Sequence, residues 1–237
     1  MTRAGRVLVV GIVLVDHDNV ATSIATELAS SHDWVVDQRW AAIGNATTSY
    51  TSLNIVWRSS ERVPKFEVMN RLLKEVDPSD YEFLVVTDDD IDLPEGFLDN
   101  YLNLVELHSF ALAQPARTHD SYIDHSFVEQ LDGISARQTM FVEIGPLFSI
   151  RFDAIPLIVP FDLASPMGWG YDFTWPVTFK SAGLRMGIID CVPVRHNLRR
   201  PVANYSHSEA NLQMINYLKE RDHLEKEDAF RIVESFC

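Results

Sequence analysis

The chain of 237 residues is poor in cysteine, and neither Cys191 nor Cys237 sits in a Cys-x-x-Cys or Cys/His spacing. A disulfide framework and a structural zinc site are therefore excluded, and a reducing compartment is the simpler expectation. Positive charge is scarce as well. Lys and Arg number 20 against 34 Asp and Glu, a net charge of −14. Such a surface repels nucleic-acid backbones and anionic membranes at long range, so no nucleic-acid partner is expected. An anionic ligand then needs a local cationic device, either a divalent metal or a cluster of arginines. Long apolar runs are missing too. The longest, residues 7–15, is too short to span a bilayer. It follows Arg3 and Arg6 as a signal-peptide core would, but Asp16, His17 and Asp18 end it without a small-residue cleavage pattern. The expectation is a buried first strand in a cytoplasmic protein with no transmembrane segment. Internal repeats, low-complexity tracts and clear linkers are absent.

Apolar residues make up 46% of the chain and charged residues 23%, enough for a sizeable core and near the globular average. The β-branched run at 7–15 suits a strand buried on both faces of a parallel sheet. Asn19 is placed to cap a following helix whose inner face carries Ile24 and Leu28. Residues 34–43 and 53–57 read as strands joined by a polar stretch at 44–52. Pro64 opens a helical pattern with Phe66, Met69, Leu72, Leu73 and Val76, and Asp77-Pro78-Ser79-Asp80 closes it as a turn. A strand at 81–87 and a helix after Pro94, with Phe97, Leu98, Tyr101, Leu102 and Val105 apolar, continue the alternation. The fold class is thus α/β with a mostly parallel central sheet flanked by helices.

Past residue 110 the pattern loosens. Residues 113–116 suggest a short strand, 119–135 a long polar loop, and 139–150 one strand. The three prolines of 155–166 leave no clean period. A helix over 172–182 stopped by Gly183 and a strand over 184–194 follow. Ser206-x-x-Glu209 forms a capping box before Leu212, Ile215 and Leu218, and 227–236 reads as a last helix. One domain over 1–237 is expected. It divides into a nucleotide-binding half (1–110), an acceptor and metal half (111–200) and C-terminal helices (201–237).

Three stretches carry candidate chemistry. Asp88-Asp89-Asp90-Ile91-Asp92 follows an apolar strand, and its carboxylates repel one another unless a cation relieves them. In open α/β sheets ligands bind beyond the carboxyl ends of strands. Asp88 and Asp90 share a face if the segment is extended, which suits Mn2+ or Mg2+ with positions left for phosphates. The competing reading is an acidic cap on the Pro94 helix. A calcium loop starting at Asp88 fails at its sixth position, Leu93, where a glycine is needed. Gly168-Trp169-Gly170-Tyr171-Asp172-Phe173 combines glycines that admit a ligand, aromatics that stack on sugar rings, and a carboxylate able to take a hydroxyl proton. It equally describes an aromatic turn with Asp172 capping a helix. Arg195-His196-Asn197-Leu198-Arg199-Arg200 is the most basic stretch, suited to a diphosphate or simply to balancing nearby acids. His196 is either a nitrogen ligand for the same metal or a structural histidine.

Together these residues resemble the glycosyltransferase superfamily with the GT-A fold. The segment from Phe83 to Pro94 looks like its strand and DxD motif. Gly168-Trp169-Gly170-Tyr171-Asp172 is similar to the Gly-Trp-Gly acidic motif of inverting members such as β-1,4-galactosyltransferases, with Tyr171-Asp172 where those carry Glu-Asp. A nearer resemblance is to an uncharacterised, largely plant family. Its motifs read here Val142-Glu143-Ile144-Gly145-Pro146-Leu147-Phe148-Ser149, then 168–173, then Gly187-Ile188-Ile189-Asp190 and His196. The likeness covers roughly 80–200.

The resemblance implies a metal-dependent transferase moving a sugar from a nucleotide diphosphate sugar, first of all a UDP-sugar, to a hydroxyl acceptor with inversion. It implies Asp90, His196 and Asp88 for the metal, Mn2+ or Mg2+. Asp88, Asp89, Asp16, Arg195, Arg199 and Arg200 would serve the nucleotide and diphosphate. Asp172 would be the base, and Trp169 and Glu143 would bind the acceptor. The rival is a binding protein on the same fold without catalysis. A nucleotidyltransferase is disfavoured, because Asp16-His17-Asp18-Asn19 is no glycine-rich basic loop.

Overall fold

The computed structural model describes residues 5–47, 50–200 and 206–237. Arg3, Thr48 and Ser49 of the polar connection, and 201–205 at the head of the expected tail, lie outside the described residues. Among the described residues nine strands form one sheet: β1 (Gly5–Leu14), β2 (Trp34–Ile43), β3 (Ile55–Ser59), β4 (Phe83–Thr87), β5 (Phe110–Arg117), β6 (Ala136–Thr139), β7 (Leu147–Arg151), β8 (Arg185–Val194) and β9 (Ile232–Phe236). Their order is β3-β2-β1-β4-β7-β5-β8-β6-β9, and only β6 and β7 run against the others. The helices are α1 (Ala21–Ala29), α2 (Lys65–Leu73), α3 (Phe97–Leu107), α4 (Ile155–Ile158), α5 (Tyr171–Ser181), α6 (His207–Lys219) and α7 (Lys226–Ala229).

β1 shows why the sheet is covered on both faces. Alternate side chains of a strand point to opposite sides. Val7, Val9 and Val13 join a core with α1 and α3, while Leu8, Val10 and Ile12 join one with α2, α4 and α5. All six are buried, which explains the unbroken apolar run. Gly11 interrupts the run for a steric reason. It pairs with Trp40 of β2, and a Cβ there would lie 2.4 Å from the indole.

Four expectations need correction. Asn19 does not cap α1; its amide donates to the His17 carbonyl and to Tyr50 Oη, and Val20 holds the cap position. Residues 139–150 are not one strand. Their ends belong to β6 and β7, which β5 and β8 separate in the sheet, so the chain between must cross over. Leu212 and Ile215 are exposed, and α6 buries Ala210 and Tyr217 instead. The last segment is one helical turn, α7, followed by a strand. The β-branched pair Ile232-Val233 leads an edge strand that pairs with β6. The Ser206 cap itself is present, accepting from the Glu209 backbone N–H at 3.3 Å.

Because β1, β2, β4, β5 and β8 run the same way, Leu14, Ile43, Thr87, Arg117 and Val194 end at one edge of the sheet. β7 enters between β4 and β5 in the opposite sense, so the residues before it, 143–146, lie at that edge too. The Asp88 backbone N–H donates to the Pro146 carbonyl at 2.7 Å, fixing this junction.

Candidate active site

A cleft of about 430 Å³ opens at this edge. It is lined by Asp88, Asp89 and Asp90 after β4, Glu143 before β7, Trp169 before α5, and His196 and Arg199 after β8. Lys65, Arg117 and Tyr122 are among its other polar lining residues. Its size and mixed lining suit a small organic ligand.

Asp88, Asp89 and Asp90 at the end of β4 each meet a basic side chain. Asp88 receives Lys65 Nζ at 2.8 Å. Asp89 accepts from the Leu14 backbone N–H at 2.7 Å and from Arg199 at 2.5 Å. Asp90 Oδ1 lies 3.3 Å from His196 Nε2, and its Oδ2 is 3.1 Å from Arg199. Burial pushes the Asp89 carboxyl up to about 6 even against Arg199. Burial also works against the Asp90 anion, but His196, Arg199 and Lys65 hold its carboxyl below the usual range. The carboxylates thus relieve their mutual repulsion through the Lys65 and Arg199 cations and the His196 imidazole, drawn from separate segments.

Among the described residues no three His, Cys, Asp or Glu side chains converge as a ready metal shell. Asp90 and His196 do form a pair of suitable donors. Two ligands at right angles on an ion with bonds of about 2.1 Å stand roughly 3 Å apart, close to the observed 3.3 Å. Two donors fit a cation that shares its remaining positions with a diphosphate, and are too few for a fully protein-bound one.

The structure does not bring every expected residue into the cleft. Asp16 is exposed, and its carboxylate is bound to the Asn45 and Ala46 backbone N–H groups at 2.8 and 2.7 Å. Those bonds hold it below the ordinary carboxylate range, and it staples the ends of β1 and β2 together. Arg195 is half-exposed and turned to Asp92 at 2.8 Å. Arg200 is exposed and does not line the cleft. Asp172 is buried in the first turn of α5 and is not among the lining residues. Its carboxyl is pushed up to about 7, first by burial and then by the charge of Glu143. Glu143 faces the cleft, paired at 2.9 Å with the buried Arg117, and burial raises it to about 7 as well.

Lys65 and Arg117 were not legible as site residues. Each is a single cation in an apolar or mixed stretch, and its partner lies far along the chain: Asp88 for Lys65, Glu143 for Arg117. The position of Lys65 directly after the helix-opening Pro64 was the available signal for the first.

No protein-family model matches the sequence, and no curated protein matches it. Solved structures do. A crystal structure of GalNAc-T7 with UDP, GalNAc and Mn2+ superposes with a TM-score of 0.63 at 10% identity. The alignment covers 91% of this chain and 48% of that one. S. aureus TarS 1-349 in complex with UDP-GlcNAc gives 0.59 at 13% identity, covering 94% and 68%. The fold is GT-A-like. This chain spans about half the length of the GalNAc-T7 chain it matches. No helix among the described residues is long and apolar enough to cross a membrane.

Proposed function

We propose that this chain transfers a sugar from a nucleotide diphosphate sugar, UDP-sugars first, to a hydroxyl acceptor with inversion at the anomeric carbon. The observation that carries this is the meeting of Asp90 and His196 in one cleft at the carboxyl edge of a GT-A-like sheet. The two sheet neighbours solved with UDP or UDP-GlcNAc support a nucleotide-sugar donor.

Asp88 and Asp89 belong to the nucleotide side. Lys65 and Arg199, already in the cleft, neutralise the charge that grows on the leaving diphosphate. Asp90 and His196 would hold a Mn2+ or Mg2+ ion, whose chemistry is to offset diphosphate charge. Trp169 offers an aromatic wall to the acceptor, and the proton acceptor comes from the buried carboxyls Glu143 and Asp172. Arg195, paired with Asp92, and Arg200, which does not line the cleft, take no part.

The test is calorimetry with UDP, with and without Mn2+, on the native chain and Asp90→Ala, beside release of UDP from a panel of UDP-sugars. Metal-enhanced binding that Asp90→Ala abolishes, together with UDP release, is expected. A chain that binds no nucleotide in either condition overturns the proposal. Tight binding without turnover favours the second reading, a non-catalytic nucleotide-sugar-binding protein. The absence of Asp172 from the cleft lining is the observation on that side.

A further inference from the structure

Among the described residues the carboxylates that line the cleft are Asp88, Asp89, Asp90, Asp124, Glu143 and Glu209. The first three are engaged by Lys65, Arg199 and His196. Asp124 and Glu209 are exposed, where water solvates the anion and leaves it a weak base. Glu143 differs from these. Its side chain is 12% exposed, and its Oε2 accepts from Arg117 at 2.9 Å. Its Oε1 is buried with no hydrogen-bond partner among the described residues. A buried carboxylate oxygen without a donor is costly. A hydroxyl brought to this wall of the cleft supplies the donor that the protein withholds.

The end of β5 holds this carboxylate from two positions. Gln114, fully buried, accepts from the Glu143 backbone N–H. Arg117, whose side chain is 2% exposed, donates from Nη2 to both Glu143 Oε2 and the Gly145 carbonyl. Residues three apart on a regular strand point to opposite faces. The register of β5 against β8 shifts between Pro115 and Arg117, and such an irregularity re-aims a side chain. Gln114 and Arg117 therefore reach the same stretch, 143–145. With its backbone and one carboxylate oxygen both tied to β5, Glu143 has little freedom left in the other oxygen.

We propose that Arg117 is a positioning residue that holds Glu143 by one oxygen and presents the other to the acceptor hydroxyl, and that Glu143 is the catalytic residue that takes the hydroxyl proton. This rests on the glycosyl-transfer reading above. It decides between the two candidate carboxyls on geometry, because Glu143 lines the cleft and Asp172 does not.

The acceptor oxygen bonds to the anomeric carbon as the bond from that carbon to the diphosphate oxygen breaks, its electron pair leaving with the diphosphate. The acceptor proton passes to the Glu143 carboxylate, which becomes a neutral acid beside Arg117. It returns the proton to water after product leaves.

The surroundings suit this exchange. Burial raises the Glu143 carboxyl, and Arg117 is the foremost charge opposing that rise. His196 after β8 and Lys65 on α2 act with Arg117, Asp124 acts against it, and Asp172 in α5 feels the Glu143 charge in turn. Arg117 thus keeps the anion available while burial keeps it basic.

The experiment measures UDP release from the UDP-sugar that the native chain turns over, across pH, beside UDP affinity by calorimetry. Glu143→Gln should lower turnover by about 10²-fold or more with UDP affinity retained. Glu143→Asp keeps the charge against Arg117 but draws the carboxylate back by one methylene, so turnover should fall even where Glu143→Gln folds poorly. Arg117→Lys keeps a cation but ends one bond short. Its kcat should fall about tenfold or more with UDP affinity retained, and the acid limb of its pH profile should move to higher pH, because the Glu143 anion has lost its nearest partner.

A residue that only props the cleft wall would weaken UDP binding and leave that limb in place, an outcome that overturns the positioning role. Full turnover in Glu143→Gln, or a larger loss in a folded Asp172→Asn than in Glu143→Gln, overturns the assignment to Glu143 while the glycosyl-transfer reading stands. A native chain that turns over no UDP-sugar overturns both.

Discussion

Asp92 and Arg195 exchange both backbone hydrogen bonds, Asp92 N–H to the Arg195 carbonyl at 2.8 Å and Arg195 N–H to the Asp92 carbonyl at 3.2 Å. This isolated bridge ties the segment after β4 to the segment after β8. It is what sets Asp90 beside His196. The side chains of Asp92 and Arg195 also pair at 2.8 Å, but both are about half exposed.

The bridge and the side-chain pair have separable consequences. An exposed pair contributes little, about 0.2–1 kcal/mol. Arg195→Ala should therefore cost under about 1 kcal/mol of stability and leave Mn2+-dependent UDP affinity within about threefold. Arg195→Pro removes the N–H and should abolish that affinity, since His196 loses its position. Calorimetry on the two variants decides. A large loss in Arg195→Ala would restore Arg195 to the diphosphate site.

Arg199 is the opposite case, being mostly buried against Asp89 and Asp90. Removing one partner of a buried pair leaves an uncompensated charge and costs roughly 3 kcal/mol. Arg199→Ala should destabilise the chain by about that much in urea unfolding and weaken UDP binding about tenfold. Adding Asp89→Asn should recover part of the stability, because the nearer stranded charge is gone while Asp90 keeps His196 and Lys65, but not the affinity. If the double variant also recovers UDP binding, Arg199 serves only to neutralise Asp89.

The first half of the fold was readable because its signals are local. The strands at 34–43 and 81–87 and the Pro64 helix follow from runs of apolar residues and from proline, and they fall within a few residues of β2, β4 and α2. The acidic cluster was readable for the same reason, being contiguous and placed at a strand end. The rest depends on pairing that no local pattern encodes. Whether 139–150 is one strand or two is set by where β5 and β8 insert into the sheet. Ile232-Val233 becomes a strand because the edge of β6 is there to receive it. Arg195 and Arg199 are four residues apart with the same side chain. Only the Asp92 bridge, which turns one outward and leaves the other inside, tells them apart.

Gly168 tests the turn that carries Trp169. Its φ is +85°, and a Cβ would lie 2.1 Å from Cε2 of Phe66. Phe66 cannot yield, because it is fully buried with Phe161 and Tyr171 edge-on at 4.7 and 4.9 Å. Left-handed backbone costs a non-glycine residue about 1–2 kcal/mol, and overpacking about 1–3 more. Gly168→Ala should lose at least about 2 kcal/mol in urea unfolding and disturb the acceptor wall. A loss under about 1 kcal/mol would mean that the turn and Phe66 shift freely.

The buried carboxyls give stability a particular dependence on pH. Asp172 is raised from 3.8 in the unfolded chain to about 7 in the folded one, and Glu143 from 4.5 to about 7. Between those values the folded chain holds protons that the unfolded chain has released. Stability from these groups is therefore complete below about pH 4 and lost as pH rises to about 7. Asparagine at position 172 cannot ionise. It also lets Glu143 ionise with less penalty, so both effects act in the same direction. Asp172→Asn should gain on the native chain steadily from about pH 4 to about pH 7, by a few kcal/mol in all, and the gap should then level off. Asparagine keeps an oxygen for the backbone N–H groups of the first turn of α5, so the loss of helix-end charge adds only a constant offset. Urea unfolding of both proteins at matched pH steps measures the gap. A gap that stays flat across this range would mean that Asp172 is ionised throughout and that burial does not raise it.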